Sequence, residues 1–391
     1  PGGCEQQAQQ YVAGFLRGLG LTPAVYALED VDGLREHPLY WPHRHYMGRP
    51  NVSARVKGTG GGRSLILSGH IDTVPRGSLE WHRDPFGGEI EDGRMYGRGA
   101  CDMKSGIAIG LTVLERLRDQ SVRLRGDLIF ESIVDEEFGG VNGTLAGRVR
   151  GDLADAAIVT EPSGLRICPA QRGGRLLHLL FSKPADIFVK DHSARTAIGS
   201  VTNFLARLPE LAALRKRSAP RHEHYRHTPD PVPVSVTNLS TNVWGWSEPV
   251  TVPSGCKVEL FLQAMPGETE DDVMGQLREW LAAIGESPEV TCPIRWLPGS
   301  AIAADHPLVT TLAGCGAAEL GAPPLVQGIE APCDMYVFHE FGVPAVLWGA
   351  TGANMHAPDE WVDLASLDAA AAVLERFVKE WCGVASGKEA E

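Results

Sequence analysis

Five features of this sequence could do chemistry together: His70-x-Asp72, Asp102, Glu136-Glu137, Glu161 and His356. Imidazole nitrogen with carboxylate oxygen is a borderline donor set that suits zinc, cobalt or manganese. A ligating histidine usually gives its other ring nitrogen to a carboxylate, which fixes its tautomer. Asp72, two residues along an extended segment, points the same way as His70 and could do that. Taken singly, each feature has a plainer reading. His-x-Asp is common without a metal, and a Glu-Glu pair is usually a solvated face. Asp102 could be a helix N-cap, Glu161-Pro162 a turn, and His356 a satisfied loop histidine.

The elements around them argue for a joint role. The apolar run Ser64–Ser68 reads as a buried strand that ends just before Gly69-His70. Residues 127–134 read as a second, ending at Asp135-Glu136-Glu137, and 156–160 as a third, ending at Glu161. Three strands thus deliver a histidine or a carboxylate at their C-terminal ends, the edge where open α/β sheets bind ligands. Residues 5–19 and 105–117 have helical periodicity. Residues 51–57 alternate as a strand. After Gln171-Arg172-Gly173-Gly174 the composition changes: strands over 175–190 and 257–263, helices over 194–214 and 270–284, and a basic, His- and Pro-rich loop over 216–235. Strand–helix alternation resumes near Ser300, with strands over 325–330 and 345–349 and a closing helix over 364–381. The expected division is 1–174 and 296–391 for a larger α/β domain, and 175–295 for an inserted one.

At 391 residues the chain has room for two or three domains. With 43% hydrophobic and 22% charged residues it is an ordinary globular composition. There is no apolar run of membrane-spanning length. A formal net charge of −13 argues against nucleic acid or anionic lipid as the main partner. Eight cysteines, none in a Cys-x-x-Cys pair, fit reduced thiols and a cytoplasmic setting. No signal-peptide pattern opens the chain, and its abrupt Pro-Gly-Gly-Cys-Glu start suggests a shortened N-terminus.

Ser68-Gly69-His70-Ile71-Asp72-Thr73-Val74-Pro75, then Met95 to Gly106 with Gly-Arg-Gly-Ala-Cys-Asp-Met-Lys at 97–104, then Asp135-Glu136-Glu137-Phe138-Gly139 form an ordered set. Glu161-Pro162-Ser163, Ala331-Pro332-Cys333-Asp334 and the stretch Asn354 to Val362 extend it. Across nearly the whole chain this resembles the co-catalytic zinc amidohydrolases, the family of acetylornithine deacetylase, succinyl-diaminopimelate desuccinylase, aminoacylase and the glutamate carboxypeptidases. The resemblance implies a mostly parallel α/β sheet between helices, like the zinc aminopeptidases, with an inserted ferredoxin-like lid that also makes a homodimer. It implies two divalent ions, zinc first and cobalt or manganese as alternatives. Asp102 would bridge them, His70 and Glu161 would complete one set, and Glu137 and His356 the other. Glu136 would be the general base, and Asp72 would orient His70. Gly349-Ala350-Thr351-Gly352 resembles the family's substrate loop, with Thr351 and Gly352 nearest the substrate. The expected reaction is hydrolysis of an N-acyl amino acid or short peptide.

The chain departs from the family at three places. Where the lid histidine that stabilises the oxyanion is expected, Ser182-Lys183-Pro184-Ala185-Asp186 holds Asp186. An ionised carboxylate would repel a developing oxyanion rather than donate to it. His192 could take over. Alternatively Asp186 could pair with a cationic substrate, or the hydrolytic step could be changed or lost, leaving a metal-binding protein without turnover. Gln263 stands where an arginine that grips the substrate's carboxylate is common, and the two are not equivalent. Val250-Thr251-Val252-Pro253 lacks a common lid asparagine. His222, His224 and His227 read as a solvated loop or a surface metal patch, and Trp244 and Trp246 as packing or substrate-mouth residues.

Overall fold

The computed structural model describes residues 5–42, 44–183, 196–242 and 253–385. The chain forms two compact units: Pro1–Ala170 with Ala301–Ile329 and Cys333–Glu391, and Gln171–Ser300 with Glu330–Pro332. The larger unit begins with α1 (Glu5–Gly18), β1 (Ala24–Tyr26), β2 (Asn51–Val56) and β3 (Leu65–His70). A hairpin β4 (Ile90–Glu91)–β5 (Arg94–Tyr96), α2 (Lys104–Asp119), β6 (Leu128–Ile133), α3 (Asn142–Val149) and β7 (Ala157–Val159) follow. The chain crosses at β8 (Ala170–Gln171) into β9 (Gly173–Ser182), α4 (Ala197–Ser218), β10 (Val234–Thr241), β11 (Gly255–Ala264), α5 (Glu270–Ala283) and β12 (Glu289–Thr291). It returns at β13 (Ser300–Ala301) to α6 (Pro307–Leu320), α7 (Met335–Glu340), β14 (Ala345–Leu347), β15 (Gly352–Ala353), β16 (Trp361–Asp363) and α8 (Leu364–Cys382).

The main sheet of the larger unit has the order β1-β2-β6-β3-β7-β14. β6, β3, β7 and β14 run parallel, while β2 and β1 are antiparallel additions at one side. Every residue of β3, β6, β7 and β14 is buried. That is why these strands read as mostly apolar runs without a polar face: helices cover both faces of a parallel sheet. One core cluster joins Ile66, Ile129, Val159 and Leu347 to Met335 and Phe338 of α7. No helix of the described residues is long and apolar enough to cross a membrane.

The smaller unit is an antiparallel sheet of order β10-β11-β9-β12. Its chain order, strand–helix–strand–strand–helix–strand, is the ferredoxin-like pattern. Alternate residues of β9 and β11 (Leu177, Leu179, Phe181; Val258, Leu260, Leu262) face one core with Phe204 of α4 and Trp280 of α5. α5 starts with a capping box in which Thr269 and Asp272 satisfy each other's amides.

Two sequence expectations change. Residues 325–330 form isolated bridges at Val326 and Ile329 rather than a strand: two hydrogen bonds join Leu325 and Gln327 to Ile167, and one joins Ile329 to Ala170. The basic stretch 216–235 is not all loop. α4 runs on to Ser218, and the His222 imidazole accepts the His224 amide at the start of a one-turn 3-10 helix, Glu223–Tyr225. Trp244, Trp246 and residues 250–252 lie outside the described residues.

Phe204 is fully buried, with edge-to-face contacts to Phe181 at 5.5 Å and Trp280 at 5.4 Å between centroids. Phe204→Ala is expected to destabilise the smaller unit by about 3–5 kcal/mol. A denaturant midpoint unchanged from the native protein would contradict this packing.

Candidate metal centre

The parallel order β6-β3-β7 fixes which side chains meet. His70 is the last residue of β3, Glu136 and Glu137 follow β6, and Glu161 follows β7. Three neighbouring strand ends therefore deliver an imidazole flanked by carboxylates. Asp102 arrives on the loop between β5 and α2, and His356 on the loop between β15 and β16.

His70 is almost wholly buried. Its Nδ1 lies 3.0 Å from the Asp72 carbonyl oxygen, which can only accept, so Nδ1 carries the proton. Nε2 then presents its lone pair to Asp102 Oδ1 at 3.1 Å, Glu161 Oε1 at 3.6 Å and Glu136 Oε2 at 3.8 Å. The other oxygen of Asp102 faces His356 Nε2 at 3.3 Å, and Glu137 Oε2 faces that same nitrogen at 2.9 Å. Ligand atoms of His70, Glu136 and Glu161 lie within 4.8 Å of one another, as do those of His70, Asp102 and Glu137.

Lone pairs aimed at lone pairs require a positive charge between them. In the absence of metal that charge can only be protons. Burial pushes His70 toward the neutral form, but the Asp102 hydrogen bond and the charges of Glu161, Glu136 and Asp72 overcome it and raise its pKa well above the usual value. Hydrogen bonds donated to Asp102 and Glu137 push the pKa of His356 up to about 10. Burial, reinforced by neighbouring carboxylates, raises Glu136 and Glu161 well above the ordinary glutamate range. Asp102 is buried, yet the hydrogen bonds from His356 and His70 hold its pKa below the usual value. Divalent cations would supply the missing charge, and the nitrogen–oxygen donor set suits them.

The Asp72 carboxylate lies 3.7 Å from His70 Nδ1, and it accepts the backbone amides of Glu136 at 3.2 Å and Glu137 at 3.4 Å. It is the Asp72 carbonyl that touches His70, while the carboxylate pins the loop that carries the glutamate pair. Thr351 is exposed and its amide donates to Ser366 Oγ at 2.8 Å. Gly352 pairs with Val362, and a Cβ there would meet Trp361 O at 2.3 Å and Cys101 Sγ at 2.4 Å, so only glycine fits. In the smaller unit, the Gln263 amide oxygen accepts from Arg172 Nη1, and Arg172 also donates to the Asp230 carbonyl at 3.2 Å. Asp186 and His192 lie outside the described residues.

Two buried acids near the cluster carry no role in the sequence reading. Asp334 accepts from Thr144 Oγ1, and its charge helps to raise both Glu136 and Glu161. Glu360 is fully buried beneath the Asp102 loop. Both fall inside recognised motifs, but nothing in their spacing distinguishes a buried acid from a surface one.

The sheet carries an imidazole–carboxylate cluster at its strand ends, a donor set suited to divalent metal ions. Residues 66–380 match the model of peptidase family M20/M25/M40, and the chain belongs to that family. It is 26% identical to the N-formyl-4-amino-5-aminomethyl-2-methylpyrimidine deformylase of Bacillus subtilis, over 96% of this chain and 89% of the relative. It is 29% identical to the succinyl-diaminopimelate desuccinylase of Methylobacterium nodulans, over 93% of each. Among solved structures, the M20 family metallo-carboxypeptidase Sso-CP2 of Sulfolobus solfataricus superimposes with a TM-score of 0.71 at 19% identity, over 96% of this chain and 93% of that one.

Raised pKa values at His356, Glu136 and Glu161 mean that the folded, metal-free protein holds protons the unfolded chain has released. The stabilisation from His356 is complete below about 6.5 and is lost as pH rises through about 10. The raised glutamates have the same sign, and the lowered Asp102 matters only in acid. The melting temperature of the chelator-treated protein is therefore expected to fall between pH 6.5 and pH 10, and saturating divalent metal to flatten that fall. A metal-free melting temperature that stays level or rises over this range would contradict the assignment.

Proposed function

We propose that this chain is a two-metal hydrolase that removes an acyl group from an amine, or splits a short peptide, by attack of water on the amide carbonyl. The supporting observation is Asp102, whose two carboxylate oxygens face two different imidazoles. His70, Asp102 and Glu161 would hold one ion, and Asp102, Glu137 and His356 the other. Zinc is the proposed metal, with cobalt and manganese suited to the same donors. Bound there, the ions would polarise the amide carbonyl and lower the pKa of water toward neutrality.

Glu136 is the general base in this reading. Its carboxylate accepts the proton of the attacking water and passes it to the leaving amine nitrogen. Asp72 holds the backbone of Glu136 and Glu137, so the catalytic carboxylate starts from a fixed main chain.

The names of the two relatives describe removal of a formyl and of a succinyl group. That favours an N-acyl amine over a long peptide as the substrate. The ferredoxin-like unit is read as a lid that also makes a homodimer, and the enzyme as acting in the cytoplasm.

Amine release from N-formyl, N-acetyl and N-succinyl compounds and dipeptides tests this reading. Metal-dependent turnover is expected, and Glu136→Ala is expected to lower kcat by about 100- to 10,000-fold while leaving both ions bound. Full turnover in Glu136→Ala, or none by the native protein on any compound, would count against it.

A further inference from the structure

The loops that present Asp102 and His356 are joined by a residue that touches neither side chain's donor atoms. His70 ends a central strand and Glu161 follows another, so the sheet ladder holds both. His356 has no such support. It sits on the β15–β16 loop with its side chain 54% exposed, and Asn354, His356 and Asp359 all adopt left-handed φ. Asn, His and Asp enter that region more readily than other non-glycine residues, so the turn is locally allowed but needs a tertiary constraint to fix its position.

Glu360, four residues beyond His356, supplies that constraint. Oε1 accepts the backbone amides of Cys101 at 2.9 Å and Asp102 at 3.0 Å. Oε2 accepts the Gly99 amide at 2.9 Å and Arg98 Nη1 at 2.6 Å. Amides of one short loop converge on one carboxylate, an anion nest. The Glu360 carbonyl accepts the Gly97 amide at 2.9 Å, and Arg98 Nη2 donates to the Ala357 carbonyl at 3.1 Å. The loop that presents Asp102 and the loop that presents His356 are thus fastened through one side chain. Arg98 and Glu360 are both buried and oppositely charged, so the fastening adds no net charge beside the cluster.

We propose that Glu360 is a positioning residue that sets the spacing of Asp102 and His356, and through it the affinity for the second ion more than for the first. This rests on the two-metal reading above. The experiment is calorimetric titration of the full-length, metal-free protein with Co2+, for the native chain, Glu360→Gln and Glu360→Asp. Glutamine keeps the shape but turns an amide donor toward backbone donors. Aspartate keeps the charge but withdraws it by one methylene, which provides a folded variant if glutamine does not fold. The native chain is expected to bind two ions. In the variants the first is expected to lose little affinity, because His70 and Glu161 do not depend on Glu360, and the second to bind about 10- to 100-fold more weakly, the range found when groups supporting metal ligands are changed. Excess Co2+ is then expected to restore part of the lost kcat. A native chain that binds fewer than two ions would overturn the two-metal reading and this inference with it. Two ions in the native chain, with both affinities unchanged in the folded variants or both reduced alike, would overturn this inference alone.

Discussion

The carboxylate of Asp102 stands between two imidazoles, 3.1 Å from His70 and 3.3 Å from His356. Around this bridge Glu136, Glu137 and Glu161 crowd into a mostly buried space. Carboxylates this close repel one another, and burial removes the water that would screen them. The cluster persists only if protons or cations enter it. The basic shift of both histidines and the raised glutamate pKa values express that one constraint in the metal-free state.

The two halves of the cluster are built by different means. Around His70 the parallel sheet does the work: adjacent strands end in a histidine, a glutamate pair and a glutamate, and ladder register fixes their separation. Around His356 the backbone is irregular, with left-handed residues held by long-range contacts. One such contact is the His82 imidazole on the Asp359 carboxylate at 2.7 Å, which ties a distant exposed loop to this one. A rigid half and a fastened half would give two bound ions unequal affinity. Such loops also carry substrate-contacting residues in this class of sheet.

The sequence made the rigid half legible. Buried strands announce themselves as apolar runs, and a histidine or acid placed directly after such a run must lie at the ligand-binding edge. The helices over 5–19, 105–117, 270–284 and 364–381 were equally legible, because each buries one amphipathic face. α6, with Gly314 and Ala318 on its exposed side, and α7, only six residues long, carry too little contrast between faces to be seen. The fastened half was not legible. Glu360 contacts residues about 260 positions away in sequence, and no local pattern shows that a Pro-Asp-Glu-Trp turn is buried under a distant loop. Asp72 showed the same limit: spacing placed its carboxylate near His70, but only the fold reveals that it also holds the amides of Glu136 and Glu137. The exchange at Gln263 was visible in sequence, whereas its clasp by Arg172 was not.

The central claim is that Asp102 joins two divalent ions in one site. The most direct test is elemental analysis of the purified, zinc-loaded and dialysed protein beside Asp102→Ala, with circular dichroism to establish that both are folded. Two equivalents of zinc per native chain, and loss of both in the folded variant, is the result the account predicts. A native chain with one equivalent or none, or a folded Asp102→Ala that keeps two, would contradict it.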